Sequence, residues 1–196
     1  NIPHLSCYCL TVEEGTALGT FVRKGQQPAV DEERAAAQFE YLIESTARQG
    51  YEHYEISNFS KPGRYARHNS SYWNGEAYLG IGPSAHSFNG YSRQWNIANN
   101  ALYMKAITSG TVPFEQEILT PAQRYNEYIM TALRTMWGVD AARLPAFGDG
   151  FTAHFEAAVR PYLASDKVEE QQVKYRLTTA GKLLADHIAA DLFVSN

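Results

Sequence analysis

Cysteine is almost missing from this chain: Cys7 and Cys9 are the only two in 196 residues. So few thiols leave no disulfide framework to read and fit a reducing, cytoplasmic compartment. Their C-x-C spacing would put both on one side of an extended strand, either as a soft metal site or as two small, half-buried strand residues. Long apolar runs are missing too. No stretch of about 18 apolar residues exists, and no charged-then-apolar segment of the signal type, so a spanning or secreted chain is not expected. Positive charge is in short supply, with 17 Lys and Arg against 21 Asp and Glu for a formal charge of −4. That balance leaves no cationic excess for a phosphate backbone, and nucleic acid is not an expected partner. Internal repeats and low-complexity segments are absent.

What is abundant is concentrated. The hydrophobic fraction of 44% is enough for a real core, yet the densest chemistry lies between Tyr54 and Asn96. Flat aromatics (Tyr65, Tyr72, Trp73, Tyr78, Trp95) alternate there with ligand or donor side chains (His68, Asn69, His86, Asn96). Gly and Pro turns between them let backbone come close to a bound molecule. Such a mixture suits a planar, polar ligand.

The first part of the chain alternates strand and helix. His4 to Val12 reads as a buried strand, Glu14-Gly15-Thr16 as a turn, and Leu18 to Val22 as a short amphipathic piece. Asp31 is placed to cap a helix whose apolar side carries Ala35, Phe39, Leu42, Ile43, Thr46 and Ala47, with Gly50 as its stop. Strands are predicted at Tyr51 to Ser57 and Tyr78 to Ile81. Strand, helix, strand implies a parallel α/β unit with its site at the C-terminal strand ends.

Beyond Asn96 helices take over. Ala98 to Ser109 is a short helix, and Thr120-Pro121-Ala122-Gln123 has the form of a capping box with Pro at the first helical position. The stripe Tyr125, Tyr128, Ile129, Ala132, Leu133, Met136 runs to Gly138. Helical pieces at Asp140 to Phe147 and Thr152 to Leu163, a hairpin from Lys167–Gln171 and Val173–Leu177, and a last helix capped by Thr178 complete a winged-helix-like order. The expected domains are 1–97 and 98–196. The absence of an initiator Met predicts a piece of a longer protein.

These residues carry a family resemblance. Tyr54-Glu55-Ile56-Ser57-Asn58-Phe59, Pro62-Gly63, Arg67-His68-Asn69-Ser70-Ser71-Tyr72-Trp73 and Leu79-Gly80-Ile81-Gly82-Pro83-Ser84-Ala85-His86-Ser87-Phe88 resemble the HemW group. Those are the oxygen-independent coproporphyrinogen III oxidase-like members of the radical S-adenosylmethionine superfamily. Leu10-Thr11-Val12-Glu13, Arg93 with Trp95-Asn96, and Leu177-Thr178 with Gly181 and Leu183-Leu184-Ala185-Asp186 extend the likeness over nearly the whole chain. The H-N-x-x-Y-W run at His68 to Trp73 resembles the haem chaperones rather than the true oxidases. The resemblance implies an α/β fold: the C-terminal part of a TIM-like, three-quarter radical SAM barrel, then a mainly helical, winged-helix-like HemN C-terminal domain. It also implies a 4Fe-4S cluster and S-adenosylmethionine in a full-length parent. The cysteine triad that would hold the cluster is absent here, and two cysteines cannot supply three thiolates. This chain alone is therefore expected to be inactive in radical chemistry. A smaller departure is Glu13-Glu14-Gly15-Thr16, where the family carries Glu-Pro-Gly-Thr.

Individual residues each have two readings. His68 is either an axial ligand for haem iron, with Asn69, Tyr72 and Trp73 around the porphyrin, or a histidine hydrogen-bonded within a tight loop. Arg67, His86 and Arg93 are propionate partners or intramolecular structural groups. Tyr54, Glu55 and Ile56 lie on a late barrel strand of the kind that contacts S-adenosylmethionine in this superfamily, or are ordinary alternating strand positions. Gly80-x-Gly82-Pro83 reads better as a close-packed strand exit than as a phosphate loop. Three functions follow: haem delivery to an acceptor protein, oxidative decarboxylation of coproporphyrinogen III, or protein contact through the winged-helix-like tail. Unpaired strand edges in an isolated half-barrel imply a homodimer of the fragment.

Overall fold

The computed structural model describes residues 2–195, which divide into two compact units, one ending at Ala66 and one beginning at Arg67. The first unit contains β1 (His4–Ser6), α1 (Ala17–Arg23), α2 (Glu32–Arg48), β2 (Glu52–Glu55) and β3 (Asn58–Ser60). Asp31 caps α2 by accepting from the Arg34 amide at 3.0 Å, and Glu32 and Glu33 in the first turn favour the positive end of the helix dipole. The helix stops where expected. Gly50 takes φ +71°, and the amides of Gly50 and Tyr51 return to the carbonyls of Ala47 and Thr46, a Schellman closure that few side-chain-bearing residues adopt cheaply.

The expected parallel pairing is not what forms in this unit. β3, which the sequence pattern did not reveal, inserts between β1 and β2 in the order β1-β3-β2, and both of its ladders are antiparallel. The reason is the short reversal at Ile56-Ser57, which turns the chain straight back beside β2. The strand predicted over His4 to Val12 shrinks to His4–Ser6, because residues after the Cys7 amide find no ladder partner among the described residues. Tyr54 and Phe59 are fully buried.

The second unit contains α3 (Arg67–Trp73), β4 (His86–Phe88), β5 (Ser92–Asn96), α4 (Asn100–Thr108), β6 (Phe114–Ile118), α5 (Pro121–Leu133), β7 (Val139–Asp140), a 3-10 turn at Ala141–Phe147, α6 (Phe151–Ala164), β8 (Val168–Gln171), β9 (Lys174–Leu177), α7 (Thr179–Lys182) and α8 (Ala185–Asp191). Two antiparallel sheets form, β4-β5-β6 and β7-β9-β8. The strand predicted at Tyr78 to Ile81 is reduced to a bridge in which Tyr78 and Phe88 exchange backbone hydrogen bonds of 2.9 Å. The capping box at the head of α5 is complete, with Thr120 accepting from the Gln123 amide and the Gln123 side chain accepting from the Thr120 amide.

α5 is the centre of the core. Tyr125, Ile129, Ala132 and Leu133 are its buried residues, and Phe155 and Val159 of α6, Tyr175 and Leu177 of β9, and Ile188 and Ala189 of α8 are buried with them. Gly138, at φ +68°, permits the close approach of β9: a Cβ there would lie 2.2 Å from the Tyr175 carbonyl oxygen. Among the described residues no helix is long and apolar enough to cross a membrane.

Candidate functional site

The H-N-x-x-Y-W run is helical rather than a tight loop. α3 spans Arg67–Trp73, and Gly75 at φ +70° ends it while the amides of Asn74, Gly75 and Glu76 return to carbonyls of the last turn. Helical spacing decides which side chains meet. His68 and Tyr72, four apart, share one side, and their rings meet edge to face at 5.0 Å and 88°. Asn69 and Trp73 occupy the adjoining side. His68 is exposed, and its ring makes no hydrogen bond among the described residues, so its nitrogens are open to a ligand.

An aromatic run continues from there. Tyr72 meets Tyr78 at 4.8 Å and 69°, and Tyr78 meets Phe88 at 6.1 Å. These rings border a cavity of about 350 Å³ that is also lined by Trp73 and, across from α3, by Tyr128 and Thr131 of α5. Three arginines line it as well: Arg93, Arg124 and Arg143. Arg93 is bonded to Glu127 at 2.5 Å. The Arg124 guanidinium lies 5.3 Å from the Tyr91 ring centre, and that of Arg143 lies 4.5 Å from the Tyr128 ring centre. Burial pushes the Tyr128 phenol above its ordinary range. Its hydroxyl accepts from the Asp140 amide at 2.7 Å, which fixes the ring that carries Arg143.

The sequence-derived candidates divide accordingly. Tyr72, Trp73 and Arg93 line one cavity, and His68 adjoins it through Tyr72. Arg67 begins α3 and His86 stands exposed on β4, 6.3 Å from the Trp95 ring; neither lines that cavity. Tyr54, Glu55 and Ile56 belong to the first unit. The Tyr54 hydroxyl bonds to His4 Nε2 at 2.8 Å and accepts from the Ala66 amide, and Glu55 accepts from the Ser57 amide and the Asn58 side chain. The Ile56 carbonyl bonds to His53 Nε2 at 3.0 Å. Arg124, Arg143 and Tyr128 were not singled out as site residues from the sequence. Their common feature, an Arg one turn from a Tyr on α5 and another Arg just past Asp140, is legible only once the cavity is known.

The Gly80–Gly82 loop is closed by protein groups, as a close-packed exit would be. Asn96 donates to the carbonyls of Gly80 and Gly82, the Gly80 amide donates to Ser87 Oγ, and the Gly82 amide donates to the Tyr103 hydroxyl. Among the described residues no group of three or more His, Cys, Asp or Glu could hold a metal ion. Cys7 is half-buried and Cys9 exposed, and two thiols do not match a cluster that needs three.

Residues 119–184 match the model of the HemN C-terminal domain. The stretch is similar to a HemN C-terminal domain over about a third of the chain. Its helices, followed by the β8–β9 hairpin, have the winged-helix order expected from the sequence. Over 194 residues, 97% of its length, the chain is 34% identical to the heme chaperone HemW of Mycobacterium tuberculosis, of which it covers 47%. It is 28% identical to the heme chaperone HemW of Bacillus subtilis, over 94% of this chain and 49% of the relative. The chain thus spans about half the length of the curated relatives it matches. The coproporphyrinogen III oxidase HemN of Escherichia coli, a radical SAM enzyme, shares the fold over 99% of this chain and 48% of its own, with a TM-score of 0.70 at 17% identity. The likeness to the HemW and HemN group therefore holds in sequence, in one domain and in fold.

Proposed function

We propose that this chain handles haem in a HemW-type protein, presenting His68 on α3 as an axial ligand to the iron. The supporting observation is that His68 is exposed, unbonded, and one helical turn from Tyr72, whose ring can lie along the tetrapyrrole while Trp73 reaches the adjoining cavity. The relatives at 34% and 28% identity are named as heme chaperones. Haem is the cargo in this reading, and an acceptor protein its destination.

Several finer assignments belong to the same proposal. Residues 1–97 act as the barrel-derived part carrying the H-N-x-x-Y-W run, and 98–196 as the helical HemN-type part. Arg93, at the cavity, is the propionate partner best supported by position, ahead of Arg67 and His86. Tyr54, Glu55 and Ile56 would contact S-adenosylmethionine in a full-length protein. Likeness to the oxidase at 17% identity supports the fold and lends the decarboxylation reading no residue-level argument.

The test is a haem titration of the chain beside His68→Ala, followed by the Soret band. Saturable binding near one haem per chain, with the axial-ligand spectrum lost and affinity falling about tenfold or more in the variant, is expected. Identical spectra and affinities in the two proteins would overturn the assignment of His68.

A further inference from the structure

Two donors at the cavity of the second unit have nothing to donate to. The indole Nε1 of Trp73 and the Nε of Arg124 are both shut off from solvent and meet no acceptor among the described residues. Buried N–H groups in folded proteins are nearly always paired, so two orphans on residues that line one cavity are donors that a small side-chain shift would offer to an acceptor entering there. The charge of the lining agrees. Arg93, Arg124 and Arg143 line the cavity with only two carboxylates, Glu76 and Glu127, and Glu127 is already tied to Arg93. Arg124 and Arg143 make no ion pair among the described residues, and each lies against an aromatic ring. A guanidinium held against a ring keeps its in-plane N–H fork for a carboxylate, which it matches with two parallel hydrogen bonds.

Size narrows the ligand further. At about 350 Å³ the cavity is at the small end of ligand sites, suited to flexible carboxylate arms rather than to a whole macrocycle. The macrocycle has its own surface close by, the His68–Tyr72–Tyr78 run that leads to the rim.

We propose that this cavity is the receptor for the porphyrin's carboxylate arms, with Arg124 and Arg143 as the cationic donor pair and Trp73 Nε1 as a further donor. The inference rests on the haem reading above and names the part of the ligand that enters. Arg93 is secondary here, because a carboxylate must first displace Glu127 from it. Binding through the arms does not need iron, which separates this inference from the role of His68.

The experiment uses metal-free protoporphyrin IX and its dimethyl ester, titrated into the chain and read by porphyrin fluorescence. The free acid is expected to bind about tenfold or more tightly than the diester, and R124Q/R143Q to erase that preference by weakening the acid far more than the diester. His68→Ala is expected to keep the preference, since no iron is present. Equal binding of acid and diester by the unmodified chain, no binding of the acid, or a preference that survives R124Q/R143Q would each overturn the proposal. Should the double variant fail to fold by circular dichroism, the exposed Arg143→Gln alone decides, with a loss of about threefold or more in acid-over-diester preference expected and an unchanged preference sinking the idea. Failure of the haem reading looks different: haem spectra would be indifferent to His68→Ala while the acid preference stands.

Discussion

Within the second unit, two stretches of nearly adjacent chain are built on opposite terms. From Leu119 to Leu192, sixteen hydrophobic residues are buried among the described residues; from Arg67 to Ile118 there are none, and the buried side chains are Ser92 and Asn96. The later stretch is a domain in the ordinary sense, held by apolar burial around α5. The earlier one takes its order from ladder hydrogen bonds, from Asn96 clasping Gly80 and Gly82, and from aromatic edges meeting in sequence. Aromatics that are not consumed by a core are left at the surface. That is what a ligand surface requires, and it explains why the cavity has α5 as its wall on one side and the polar-held stretch on the other.

The largest effect expected from this difference is on global stability. Phe155 is fully buried with its ring 5.0 Å from Tyr175, and Phe155→Ala should cost about 3–5 kcal/mol in urea unfolding, as large-to-small core changes do. Tyr72, exposed on α3, should lose less than about 1 kcal/mol on Tyr72→Ala. Equal losses at the two positions would mean that the aromatic run is core after all, and the contrast would collapse.

The same contrast explains what the sequence made legible. Signals that are local and repeated came through: the Asp31 cap and Gly50 stop of α2, the Thr120–Gln123 box and apolar stripe of α5, and the hairpin of β8 and β9. Elements whose existence depends on distant partners did not. β3 is three residues long and buries the polar Asn58 and Ser60 beside Phe59, and β6 reads Phe-Glu-Gln-Glu-Ile with most of its residues exposed, so neither carries an alternating apolar pattern to detect. α3 was hidden for a related reason, since Arg-His-Asn-Ser-Ser has no apolar side. Around the cavity, Tyr72, Trp73 and Arg93, with His68 beside Tyr72, were among the residues singled out by the density of chemistry in one stretch. Arg124 and Arg143 were not, because they reach the cavity from the stripe-bearing helix and the turn after it. Tyr128 was misread for the same cause: it was counted with the core stripe, yet it faces the cavity and supports Arg143.

A second, smaller effect sharpens the comparison by confining damage to one stretch. Asn96 is 2% exposed and donates to two carbonyls of the loop that precedes β4. Asn96→Ala should leave those half-buried carbonyls short of a donor at a cost of about 1 kcal/mol. Because the loop lies outside the apolar core, the loss should appear as faster hydrogen exchange at the Gly80 and Gly82 amides, with the amides of α5 and α6 unchanged. Uniformly faster exchange across both stretches would show that they unfold as one and that the polar-held part is not a separate cooperative element.

The smallest expected effect belongs to the apolar-held domain and appears only in alkali. The Tyr162 hydroxyl donates to the Asp191 carboxylate across α6 and α8, and this bond, with some burial, pushes its pKa from 10.0 up to about 12. A phenol whose pKa is raised on folding adds stability that is fully present below pH 10 and is lost as pH rises through about 12. Stability measured by denaturant at pH 9 and again at pH 11.5 should therefore fall in the unmodified chain and fall less in Tyr162→Phe. It should not become flat, since Tyr125 and Tyr175 in the same domain are also raised, by burial first in each case. The bond is exposed to solvent, so the difference between the two slopes should be slight beside the effects of Phe155 and Asn96. An identical fall in both proteins would remove Tyr162 from the alkaline limit and leave that limit to the buried phenols, the group that the apolar core itself creates.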